Sequence, residues 1–151
     1  MNTNNLEEIV NYLEISPLLG TAGQPLREQF AAIRSAGYQA VINLAMPSST
    51  GALADEAEIV RGLGMEYVAI PVVWEAPQPR DFERFCAEMQ RLAGRKVFAH
   101  CAKNYRVSAF VYLYRTLKLG APEDVAYDDM LSIWQPEGVW AQFIERIKGS
   151  G

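Results

Sequence analysis

The 151-residue chain is poor in the residues that hold small proteins together or bind metals, with two cysteines, Cys86 and Cys101, and a single histidine, His100. Two cysteines give neither the number nor the spacing of a disulfide framework, and one histidine beside them does not make a zinc site. Free thiols suit a reducing compartment, so a cytoplasmic protein with no metal and no cofactor is expected. Positive charge is also scarce: 14 Lys and Arg against 18 Asp and Glu leave a formal charge of -4. That balance argues against a general nucleic-acid binder, which needs a basic face to displace counterions from phosphates. Any anion site has to be local. No apolar run is long enough to cross a bilayer, and residues 1–8 lack the basic and apolar parts of a signal peptide. Neither nucleic acid nor membrane is therefore an expected partner. Repeats, low-complexity tracts and interdomain linkers are missing as well.

What is present is the composition of one globular domain, half apolar and 21% charged. Residues 1–148 are assigned to that domain and residues 149–151 to a flexible tail. Residues 9–15, rich in β-branched and aromatic side chains, read as an edge strand, and residues 16–25 as turn throughout. Pro25 opens a helix with a stripe of Phe30, Ile33 and Ala36, stopped by Gly37. Residues 41–44 form a short buried strand. The next helix presents Leu53, Ala57, Val60 and Leu63 and ends at Gly62 and Gly64. Residues 67–70 are a further strand, followed by a proline-punctuated loop up to Pro79 that is long enough to carry function. From about Arg80 a helix sets Phe82, Phe85, Cys86, Met89 and Leu92 on one face, which makes Cys86 core filler. Phe110, Leu113, Tyr114 and Leu117 line a third helix, Pro122 starts a fourth, and Val139, Phe143 and Ile147 a last one. Alternating strands and helices imply an α/β single domain with a central, mainly parallel sheet flanked by helices. Ligands bind such sheets at the carboxyl ends of the strands, where Cys101, Glu75 and residues 47–50 fall.

The chemistry concentrates in residues 96–110. A short apolar strand leads through His100 to Cys101, then through Ala102, Lys103, Asn104 and Tyr105 into an amphipathic helix carrying Arg106, Val107 and Ser108. Strand, tight loop and helix is a common build for an anion site, because the first helical N–H groups lack partners and the positive dipole end sits there. A cysteine attacks as its thiolate, which a helix N-terminus and nearby cations such as Lys103 and Arg106 favour. The planar fork of Arg106 grips two oxygens at once. Glu75, across the mouth, is placed to protonate a leaving oxygen. His100 is expected to point inward and bond backbone near the loop. Trp74 would wall the pocket, while Tyr105 either stacks on an aromatic substrate or covers the site. Trp134 and Trp140 read as core or interface residues.

His100-Cys101 through Ser108, with residues 41–44 and 67–72 before it, resembles the cysteine-dependent dual-specificity and tyrosine phosphatase superfamily. Ala22-Gly23-Gln24-Pro25, the Val-Ile-Asn-Leu-Ala-Met-Pro run of residues 41–47 and Val107-Ser108-Ala109-Phe110 are similar to a small bacterial branch of it. The resemblance spans nearly the whole chain and implies a dual-specificity phosphatase fold that hydrolyses phosphomonoesters through a phosphocysteine at Cys101. It further implies phosphoryl binding by Arg106 and the loop from Ala102 to Val107, thiolate release eased by Ser108, and an acid on the loop of residues 74–77. The partner would be a phosphorylated substrate whose class the sequence does not specify, and the oligomeric state is open. This chain departs from the pattern in two ways. Four residues separate Cys101 from Arg106 where the superfamily has five, while Ser108 keeps its usual offset and Val107 takes the arginine's slot. Asn104 also stands where the loop usually has glycine, a mild change because asparagine tolerates the left-handed backbone.

Other chemistries use similar parts. A Cys-x4-Arg loop is also what rhodanese-like sulfurtransferases carry, with a persulfide on the cysteine. The rest of the chain lacks their Asp-x-Arg strand end and Gly-His-Ile segment, and Glu75 would have no role there. A catalytically weak module binding a phosphorylated or anionic partner, and a redox-sensing thiol protein, complete the alternatives.

Overall fold

Segments whose side chains are apolar on both faces become interior strands, and three such segments set the centre of this protein. In the computed structural model, which describes residues 5–150, β1 (Leu13–Ser16), β2 (Leu19–Ala22), β3 (Ala40–Asn43), β4 (Glu66–Ala69) and β5 (Val97–His100) form one sheet in the order β1-β2-β5-β3-β4. β2, β5, β3 and β4 run parallel, and β1 is antiparallel on the edge. β2 and β5 are buried at every residue, which is why neither alternates in the sequence. Period two still governs which way each side chain faces. Ala40 and Ile42 of β3 join one core, with Val97 and Ala99 of β5, while Val41 and Phe98 join the other.

Helices α1 (Gln29–Ser35) and α2 (Glu56–Gly62) cover one face; α3 (Pro79–Arg91), α4 (Tyr105–Leu117), α5 (Glu123–Ile133) and α6 (Val139–Ser150) make the other side. Phe110 of α4 is the hub of the larger core, edge-on to Phe82 and Phe85 and stacked with Phe143. Among the described residues no helix is long and apolar enough to cross a membrane. Helix α6 continues through Gly149 to Ser150, over part of the segment read as a tail. Residues 1–4 and 151 lie outside the described residues.

The sequence reading needs correction at the N-terminal edge. The first strand begins at Leu13, not at Ile9, because residues 6–8 form a single 3-10 turn and Asn11 adopts a left-handed φ of 52°. Residues 16–25, read as turn, contain β2. Its Leu-Gly-Thr-Ala sequence has little β propensity and owes its conformation to the two strands that flank it. Gly20 in this strand is required by packing: a Cβ there would sit 2.1 Å from the Tyr38 hydroxyl. Tyr38 is fully buried against Phe98, so it has no room to retreat. Gly20→Ala is expected to lower stability by about 1–3 kcal/mol through this overpacking, read as a fall in thermal midpoint. Helix α1 also starts at Gln29, four residues after Pro25, and α2 turns Glu56 and Val60 inward while Leu53 and Leu63 stay half-buried.

Candidate active site

Strand β5 ends at His100 and α4 begins at Tyr105, leaving Cys101, Ala102, Lys103 and Asn104 as the loop between them. Asn104 makes the turn with a left-handed φ of 70°. Its side chain is buried, and its Nδ2 donates to Asn11 O at 2.9 Å and to Thr21 Oγ1 at 3.0 Å. The asparagine thus supplies the backbone geometry of a glycine and also pins the loop to the β1–β2 edge. The other side of the loop is fixed by the end of β2. Cys101 N–H donates to Ala22 O at 3.3 Å and Gln24 N–H to Ala102 O at 2.9 Å. Gly23 lies between them, and a Cβ on it would be 2.5 Å from Ala102 O. This close approach explains the glycine in the Ala22-Gly23-Gln24-Pro25 segment.

A cleft of about 580 Å³ opens at the carboxyl ends of the strands. Cys101, Ala102, Lys103, Tyr105 and Arg106 line it from the loop and α4, Trp74 and Glu75 from the loop after β4, and Ser48, Ser49 and Thr50 from the loop after β3. The cleft therefore brings Cys101, Arg106 and Glu75 together. Lys103 and Glu75 are exposed, whereas Cys101 is buried and Arg106 only 5% exposed. Arg106 Nη1 donates to Val72 O at 2.9 Å and Nη2 approaches Ser49 Oγ at 3.4 Å. It forms no ion pair among the described residues. A buried cation without a carboxylate is costly to keep, and here its surroundings are neutral oxygens and an open cleft.

Aromatic side chains form one wall. Tyr105 stacks on Trp134 with ring centres 4.7 Å apart and an interplanar angle of 7°, and Trp74 packs beside both at 6.3 and 5.5 Å. Trp140, fully buried, donates its Nε1–H to Trp74 O at 2.8 Å. That bond fastens the loop bearing Glu75 to the C-terminal helix.

Four residues of the predicted site lie behind the cleft. Asn104 and Val107 are buried in the fold. Ser108 Oγ donates to Tyr105 O at 3.0 Å and accepts from Trp134 Nε1 at 2.9 Å, so its hydroxyl is occupied away from the cleft lining. His100 is fully buried, with Nδ1 3.3 Å from Cys101 O and Nε2 2.7 Å from a carboxylate oxygen of Glu56. Glu56, 2% exposed, also accepts from Gln24 Nε2 at 2.8 Å. Burial pushes the Glu56 carboxyl up, but the hydrogen bond and charge of His100, with bonds from Gln24 and Tyr67, outweigh it and hold the group below the usual carboxylate range. Tyr67 is pushed up to about 12, first by burial, and its hydroxyl accepts from Asn43 Nδ2 at 3.0 Å. Sequence reasoning missed Glu56, since a glutamate in a helical first turn ordinarily just complements the dipole. Cys86 sits in the core beside Phe82 and Phe85, where burial pushes its thiol up to about 11.

No protein-family model and no curated protein sequence matches the chain. Solved structures do match. The chain is similar to a "putative phosphatase (DUF442)" from Shewanella putrefaciens CN-32, with 34% identity and a TM-score of 0.89 over 99% of this chain and 98% of that one. In fold it is similar to TpbA from P. aeruginosa, at 16% identity and a TM-score of 0.73 over 93% and 88% of the two chains. It is likewise similar to the core catalytic domain of the PP-IP phosphatase SIW14 from S. cerevisiae, at 13% identity and a TM-score of 0.75 over 91% and 85%.

Proposed function

This chain belongs to the DUF442 family, within the dual-specificity and tyrosine phosphatase superfamily, and on that premise we propose that it hydrolyses phosphomonoesters with Cys101 as the nucleophile. The observation that carries the reading is the buried Arg106 guanidinium, unpaired by any carboxylate among the described residues, in the same cleft as Cys101. Val72 O and Ser49 Oγ hold part of the guanidinium from behind, and its other N–H groups are left for an anion. The phosphoryl group would sit between that fork and the first N–H groups of α4, with Cys101 Sγ in line with the scissile bond. Attack forms the S–P bond and breaks the P–O bond to the leaving group, whose oxygen takes a proton from Glu75 at the cleft mouth. Water then attacks the phosphocysteine and returns its proton to Glu75, and the S–P bond breaks to release phosphate and the Cys101 thiolate. With Ser108 Oγ engaged by Trp134 and Tyr105, the leaving thiolate relies on Arg106 and the loop N–H groups.

The engagement of the Ser108 hydroxyl by Trp134, together with the four-residue spacing from Cys101 to Arg106, favours one second reading, sulfur transfer. Cys101 would attack the outer sulfur of thiosulfate, expel sulfite and hand the persulfide sulfur to an acceptor such as cyanide. The two readings separate in one pair of assays on the purified protein. Release of para-nitrophenolate from its phosphate ester, with no thiocyanate formed from thiosulfate and cyanide, is the expected result; the reverse pattern overturns the phosphatase reading.

A further inference from the structure

We infer that Glu56 is a positioning residue for the nucleophile loop: through His100 and Gln24 it holds the Cys101 and Ala102 carbonyls behind the loop, so that the N–H groups following them face the cleft. Gln24 secures the loop in two ways, with its backbone N–H on Ala102 O and its side-chain amide on Glu56. Glu56 in turn fixes the His100 ring, whose other nitrogen faces Cys101 O. A trans peptide is planar, with its C=O and N–H pointing in opposite directions. Drawing the two carbonyls inward therefore turns Ala102 N–H and Lys103 N–H outward, on the side where Cys101 and Ala102 line the cleft. Such a row of N–H groups is a nest for an anion, whether thiolate or phosphoryl oxygen.

The cost of the arrangement supports a purpose. A carboxylate and an imidazole are both withdrawn from water, where an apolar pair of similar volume would ordinarily be no less stable. Phe30 packs edge-on against the His100 ring and helps to leave it one orientation. The charged and titratable groups around the pair are Tyr67 of β4 and, beyond it, Arg61 of α2. Those lining the cleft with Cys101 are Lys103, Tyr105, Arg106 and Glu75.

The inference rests on Cys101 acting as a thiolate nucleophile, as in the phosphatase reading, but its test needs no turnover. The rate of Cys101 alkylation by iodoacetamide is followed by mass spectrometry between about pH 5 and pH 9 in the wild type, Glu56→Gln and Gln24→Ala. In Glu56→Gln the midpoint of the profile should move up by about one pH unit, which makes alkylation about tenfold slower below it. Gln24→Ala, which keeps the His100–Glu56 pair and the backbone bond, should move it in the same direction by less. An unmoved midpoint in folded Glu56→Gln overturns the inference, since a residue that only stabilises the fold changes the thermal midpoint alone. A downward move overturns it too, because Cys101 would then sense the negative charge of Glu56 rather than the placing of the donors. If Glu56→Gln does not fold, Gln24→Ala decides by the same criterion. Normal upward shifts in a protein that hydrolyses no phosphoester would retire the phosphatase reading and leave this one standing.

Discussion

Cys101→Ser is expected to abolish hydrolysis of para-nitrophenyl phosphate, with kcat falling by at least about 10⁴-fold, the loss that follows when a covalent catalyst is deprived of its nucleophile. A serine hydroxyl is not ionised near neutral pH, so it attacks only with a base at hand. His100, the nearest candidate in the sequence, cannot serve, because its two ring nitrogens are taken up by Glu56 and by the Cys101 carbonyl. The fold should tolerate the change. Oxygen replaces sulfur in a small buried space beside Ala22, and the loop geometry depends on Asn104, Gln24 and Gly23 instead of the thiol. The variant should therefore keep the loop geometry around Arg106, and inorganic phosphate is expected to raise its thermal midpoint and that of the wild type alike. Residual activity near the wild-type level would sink the covalent route.

Arg106→Met is expected to separate function from stability in the opposite sense to most core substitutions. Removing one preorganised donor to a developing oxyanion costs about 10²–10³-fold in rate, and Arg106 contributes a charged fork, so kcat/KM should drop by about 10³-fold or more. Stability should not fall in step. The guanidinium is buried with only Val72 O and Ser49 Oγ as partners, and an apolar side chain of similar length removes a desolvated charge. Binding linkage gives the complementary result. At a phosphate concentration of about 100 times Kd the wild type should gain about 2.7 kcal/mol and its thermal midpoint should rise by roughly 5–10 °C, whereas the methionine variant should not respond. An Arg106→Met protein that melts far below the wild type, with phosphate moving neither midpoint, would make Arg106 a purely structural tie between the loops after β3 and β4.

How much of this was readable in advance depends on where the determining force lies. The helices and β3, β4 and β5 announce themselves because their apolar periodicity records which face is buried, and the strand-to-helix passage at Cys101 could be placed from local residues alone. The direction of Arg106 could not, since counting positions from Cys101 gives a rotation about a helix and not the reach of a long side chain. Its two anchors come from loops more than fifty and thirty residues away in the sequence, at Ser49 and Val72. Strand β2 was invisible for a related reason. Leu-Gly-Thr-Ala has no strand preference of its own and is extended because β1 and β5 lie on either side. Glu56 fails the same way: nothing local distinguishes a helix-opening glutamate in solvent from one sealed against a histidine. Ser108 kept the spacing that marks its superfamily role, yet Trp134 takes its hydroxyl, and that contact arises only when α4 and the segment after α5 pack together.

The strand order β1-β2-β5-β3-β4 also bears on how the chain folds. β5 is the last strand to be synthesised, yet it lies at the centre of the sheet, between two strands that do not pair with each other. Until it inserts, Leu19–Ala22 and Ala40–Asn43 each present an open edge, and the ladders that close them join Leu19 to Val97 and Ala40 to Val97. Contacts so distant along the chain close slowly, which places the kinetic bottleneck and the period of greatest exposure to aggregation at this one insertion. The same event delivers Cys101 to its cradle. A nascent or partly unfolded chain consequently lacks the cleft that gathers Cys101, Arg106 and Glu75, which exists only in molecules whose sheet is complete.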